Sequence, residues 1–138
     1  MLFMAAALGL AGCGGSSHFA DKSRPATPVN LSVYVNDHSV SVSPASVGAG
    51  PVVFLVTNSA ATTELVTIKS DGGGSQTAAT TGPINPGTSA QVQADLGTGS
   101  YVVTTSAPSG QAPARSIRPA KLKIGPPRPN ANNALLQP

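Results

Sequence analysis

The chain has 138 residues, a formal net charge of +3, 15 Gly, 13 Pro, no Trp and only 9% charged residues. Glycine and proline at this density interrupt helices and β-branched side chains favour strands, so helical folds are disfavoured and one all-β domain of about 100 residues with short tails is expected. The basic excess is local, because Arg115, Arg118, Lys121, Lys123 and Arg128 all follow the last acidic residue, Asp95; with no aromatics interleaved, this pattern argues against nucleic acid as a partner.

Residues 1–12, MLFMAAALGLAG, are apolar and too short to span a bilayer. They read as the hydrophobic part of an export signal. No Lys or Arg precedes them, which predicts that the true start lies upstream. Cys13 is the only cysteine. Leu10-Ala11-Gly12-Cys13 resembles the lipobox of bacterial lipoproteins, which implies cleavage before Cys13 and acylation of its thiol. Two acyl chains on one residue anchor stably where one would be marginal. Residues 13–28 then form the lipidated cysteine and a tether: Gly14-Gly15-Ser16-Ser17 is linker-like, His18 lies within it, and Pro25 and Pro28 close it. The expected location is the outer face of the bacterial cell membrane.

The domain is expected over 29–125. Leu31–Val35 and Val40–Ser43 alternate with period two and read as strands joined by a turn at Asn36-Asp37-His38. Pro44–Pro51 reads as a connection of small residues. Val52–Val56 is a continuous apolar run, expected of a strand buried on both faces. Glu64–Ile68 is a further strand. Residues 70–88 read as a long loop that opens on Asp71-Gly72 and ends in Pro86-Gly87, a type II turn signal. Gly72-Gly73-Gly74 lacks the Lys-Ser/Thr pair and helix of a phosphate cradle, so it reads as turn. Val92–Leu96, Tyr101–Thr105 and Lys121–Ile124 complete about seven strands, the last with lysines suited to an exposed edge. Residues 126–138 show no period and are expected to form an extended or disordered tail. The pattern predicts a two-sheet Greek-key sandwich.

Two stretches, VYVNDHSVSVSPASVGAGPVVFLVTNSAATTELVTIKSDG and INPGTSAQVQADLGTGSYVVTTSAPSG, with RPAKLKI after them, are similar to cupredoxin-like domains of bacterial secreted and lipid-anchored proteins. The resemblance covers residues 31–124. It implies a copper site built from a His before the Glu-Leu of one strand, a Cys ending the strand after Gly-x-Tyr, a second His in the following loop and a later Met. At the corresponding places this chain has Thr63, Thr105, Gly110 and Ile117. Soft thiolate and imidazole give copper its affinity, and neutral hydroxyls cannot replace them, so no cofactor is expected.

Asp37 and His38 remain as a candidate weak metal pair. Enzyme activity is not expected: His38 is the only histidine of the domain, Glu64 is the only glutamate, and no G-x-S-x-G elbow occurs. Asn30-Leu31-Ser32 matches a glycosylation sequon, read here as chance. The expected function is a non-catalytic, copper-free binding or structural module of the cell envelope. The alternative is a metal (copper) binding or carrier protein that uses non-standard ligands, His38 among them. The expected partners are the bilayer, through acylated Cys13, and an envelope protein or polymer held by loop 70–88 and the basic strand. Arg115, Arg118, Lys121 and Lys123 are the candidates for contact with an anionic surface.

Overall fold

In the computed structural model, residues 25–111 and 116–130 are described. They form eight strands: β1 (Val29–Val35), β2 (Val40–Ser43), β3 (Ser46–Asn58), β4 (Leu65–Ser70), β5 (Thr77–Thr80), β6 (Ser89–Leu96), β7 (Gly99–Ser106) and β8 (Ala120–Pro127). The fold is all-β, as the period-two pattern predicts. One sheet runs β2-β1-β3-β6 and the other β3-β8-β7-β4-β5. The long β3 belongs to both. Its first residues pair parallel with β8; from Gly50 it pairs antiparallel with β6, and from Val52 it lies between β6 and β1, the latter parallel. A register shift between Gly48 and Ala49 re-aims the strand from one sheet to the other.

Alternation along each strand sends one set of side chains inward. Leu31, Val33, Val35, Val52, Phe54, Val56 and Leu96 of the first sheet meet Val66, Ile68, Val103, Leu122 and Ile124 of the second, all essentially inaccessible to solvent. Phe54 sits mid-sheet, in register with Leu31 and Val92 on either side. Each such side chain contributes about 1.5–3 kcal/mol through burial, so the core suffices without a helix or a disulfide.

Turn chemistry fixes the connections. Asn36 Oδ1 accepts from the amides of His38 and Ser39, closing the β1–β2 hairpin. The Pro86-Gly87 turn forms as expected: Thr88 N donates to Asn85 O, and Gly87 adopts φ +73°, which a side chain would oppose. After β6, the Tyr101 hydroxyl donates back to Gly97 O at 3.1 Å and secures the turn into β7.

Five sequence expectations are corrected. The Lys121–Ile124 strand is not an edge, because β8 lies between β3 and β7 and its lysines are exposed on the sheet's outer face instead. Residues 70–88 are not one loop, because Thr77–Thr80 form β5, an edge strand paired with β4. Residues 44–51 are not a plain connection, because β3 begins at Ser46. Val52–Val56 is not buried throughout: Leu55, on the outer face of its sheet, is 43% exposed. Nor does the ordered fold stop at Gly125.

Pro126 and Pro127 extend β8, and Arg128 locks its end. The Arg128 guanidinium donates to the carbonyls of Gly48 (3.1 Å), Ala49 (3.3 Å), Thr27 (2.7 Å) and Pro51, while its own amide donates to Ala49 O. One cation thus satisfies four backbone carbonyls, three of them on β3 beside its register shift. The approach requires Gly48: a Cβ there would lie 2.6 Å from Arg128 Cγ and 2.9 Å from Pro126 O.

Candidate functional site

Two buried polar residues, Asn58 and Glu64, organise the loops at the C-terminal end of β3. Asn58 is fully buried and holds the loops together. Its Nδ2 donates to Thr62 O and Ile84 O, both at 2.8 Å, and its Oδ1 accepts from Ala60 N at 2.9 Å. Glu64 is buried beside it, paired through its backbone with Ile84 and accepting at Oε1 from the Thr62 hydroxyl at 2.8 Å.

Thr63 lies in the loop before β4, and its hydroxyl donates to Asn85 Oδ1 at 3.1 Å. Thr105 is half-buried in β7, in register with Val66. Gly110 is exposed in a turn with φ +84°, where Gln111 N donates to Pro108 O. Ile117 packs against the core. Two hydroxyls, a residue without a side chain and a branched alkyl group do not fit a copper centre. They offer neither thiolate, imidazole nor thioether.

The Asp37–His38 turn is no better supplied. Asp37 Oδ1 is committed to Ala61 N at 2.8 Å, a contact that ties the β1–β2 turn to the loop after β3. His38 is exposed, and its carbonyl accepts from Arg118 N at 3.0 Å. Among the described residues, no three His, Cys, Asp or Glu side chains come together as a metal-binding group.

The candidate basic residues separate. Lys121 and Lys123 are exposed on the outer face of the second sheet. Arg118 lies before β8, joined by a bridge to Ser39, away from that face. Arg128 is turned onto backbone carbonyls. Lys69, which the sequence reading left out, stands on the same outer face as Lys121, with Val102 between them in one cross-strand row. Only strand register reveals this, since Lys69 and Lys121 are far apart in sequence. Arg115 and Cys13 lie outside the described residues, as do the expected signal segment, most of the tether and residues 131–138.

The outer face of the first sheet carries a shallow cavity of about 620 Å³, lined by Ser32, Tyr34, Leu55, Thr57, Ser89 and Gln91 among others. Tyr34 and Leu55 are the large apolar side chains left exposed there, 46% and 43% accessible. Among the described residues, no charged side chain lines it.

No family model and no curated protein sequence matches the chain. The fold is nevertheless that of cupredoxins. Dithionite-reduced auracyanin from the photosynthetic bacterium Roseiflexus castenholzii matches it at a TM-score of 0.50 and 15% identity, over 73% of this chain and 99% of that one. A multicopper oxidase matches at 0.50 and 15% identity over 79% of this chain, which spans 49% of the oxidase chain. Auracyanin A, a "blue" copper protein of Chloroflexus aurantiacus, gives 0.49 and 15% over 72% and 100%. Likeness at this identity is likeness of fold.

Proposed function

We propose that the chain is an exported lipoprotein, held by acylated Cys13 to the outer face of a bacterial cell membrane, whose cupredoxin-like domain is a copper-free, non-catalytic binding or structural module. The observation that carries this reading is the placement of the single cysteine. It ends the apolar run 1–12 in the sequence LAGC, ahead of β1, so the sandwich itself has no thiol. A blue-copper centre needs that thiolate. The donor chemistry at Thr63, Thr105, Gly110 and Ile117 supports the same conclusion.

Two facts support a non-catalytic role. The buried Glu64 carboxylate is engaged by a threonine hydroxyl rather than a second acid or a histidine. The His38 imidazole makes no hydrogen bond among the described residues, so nothing there orients it as a base. The alternative, a metal carrier, would draw on His38, which has a free face but lacks co-ligands.

Intact-mass analysis of the chain extracted from membranes tests the anchor. The expected product begins at Cys13 and carries diacylglycerol on sulfur. An unmodified Cys13, or an uncut Met1, would overturn the reading.

A further inference from the structure

We propose that the outer face of the second sheet, centred on Lys69, Lys121 and Lys123, is a docking surface for anionic phospholipid headgroups, so that the domain lies with this face against the membrane. The inference rests on the lipoprotein reading only for what brings the domain to a bilayer. The surface itself is argued from register and charge.

Lys69 pairs with Val102, and Val102 with Lys121; one rung along, Ser100 pairs with Lys123, and Lys123 with Ser46. All three lysines are exposed. Adjacent strands lie about 4.8 Å apart and alternate residues on one strand about 7 Å apart, so the three lysine attachment points fall within roughly 12 Å of one another. The neighbouring outward positions are Leu65, Thr67, Thr77, Thr80, Ser100, Val102, Thr104, Ser106 and Ser46, none of them acidic. Of the acids near the second sheet, Glu64 is buried, whereas Asp71 is exposed at the end of this face, two residues after Lys69 and with its amide donating to Ser100 O, the residue in register with Lys123, so one carboxylate stands against three ammonium groups. Four flexible methylenes let each ammonium reach a phosphate while its stem covers the Thr/Val surface.

The entry point of the chain agrees with this orientation. Arg128 holds Thr27 O at the end of β8, the strand that carries Lys121 and Lys123. The uncharged Tyr34–Leu55 cavity then faces away from the bilayer, on the opposite sheet.

Vesicle flotation tests the surface without the lipid. The chain from residue 13 onward, with Cys13→Ser, is mixed with phosphatidylcholine vesicles containing phosphatidylglycerol, or with phosphatidylcholine alone. The expected result is binding to the anionic vesicles only, abolished near 1 M salt, where the Debye length falls to about 3 Å. Each lysine-to-glutamine change should weaken binding about fivefold, and K69Q/K121Q/K123Q on the order of a hundredfold. R118Q, off this face, should have a smaller effect than any one of the three, with thermal melts confirming that all variants fold. Equal binding to neutral vesicles, no binding, insensitivity to the triple substitution, or retention only by isolated acidic wall polymer would each overturn the proposal. Because Cys13 is absent from this assay, a negative result leaves the mass measurement of the anchor independent.

Discussion

Asn58→Ala removes the side chain on which both loops at the end of β3 depend. Two of its three hydrogen bonds are fully buried, Nδ2 to Ile84 O and Ala60 N to Oδ1. Truncation leaves a buried carbonyl and a buried amide without partners, each costing about 1–3 kcal/mol. The third, to Thr62 O, is part-buried and water can replace it. Values in the lower half of that range for the two buried groups give about 3 kcal/mol in all. A domain of this size is stable by about 5–15 kcal/mol, and each kcal/mol moves its melting temperature by about 4–8 °C. The expected drop is therefore about 12–24 °C, read by thermal and urea unfolding of the Cys13→Ser chain with an unchanged urea slope. Asn58→Asp keeps the acceptor for Ala60 N but sets a carboxylate oxygen against two carbonyls, so it should destabilise at least as much. A loss under about 1 kcal/mol for Asn58→Ala would refute the view that this residue organises the loops.

Two further substitutions probe the ends of the molecule. Arg128→Met keeps the stem and removes the head that holds Thr27, Gly48, Ala49 and Pro51; because the site is only part-buried, a loss of about 1–2 kcal/mol is expected by denaturation. A value indistinguishable from the parent would return residues 126–130 to the status of a tail. His38→Ala should leave calorimetric affinity for divalent copper and zinc unchanged, because Asp37 is bound to Ala61 N; a clear loss would favour the metal-carrier reading.

Most of the strands were legible in the sequence because their alternation is regular: in Leu31–Val35 and Lys121–Ile124 every second residue is core. β5 was not, because Thr77-Ala78-Ala79-Thr80 is a short, exposed edge held by pairing with β4 rather than by an apolar face. The start of β3 was hidden for a related reason. Ser46–Gly50 are small residues whose order comes from β8 and from Arg128, a side chain 80 positions from Gly48 in sequence. Arg128 itself stood in a Pro-rich segment with no period, and nothing local hinted at carbonyls gathered by a strand bulge. Asn58 does not stand out in the sequence because its role depends on Ile84, 26 positions away. Of the basic surface, the β8 lysines were visible as a cluster, but Lys69 joins them only through the β4-β7-β8 register.

Copper titration of the intact chain, extracted from membranes with its own N-terminus, is the most direct measurement of the central claim. With no imidazole or thiol at positions 63, 105, 110 and 117, and with Cys13 acylated as proposed, substoichiometric copper is expected as isolated. No intense visible thiolate-to-copper band is expected on adding Cu(II), and no tight one-to-one binding of Cu(I). One equivalent of tightly held copper, or an intense blue colour, would contradict the claim.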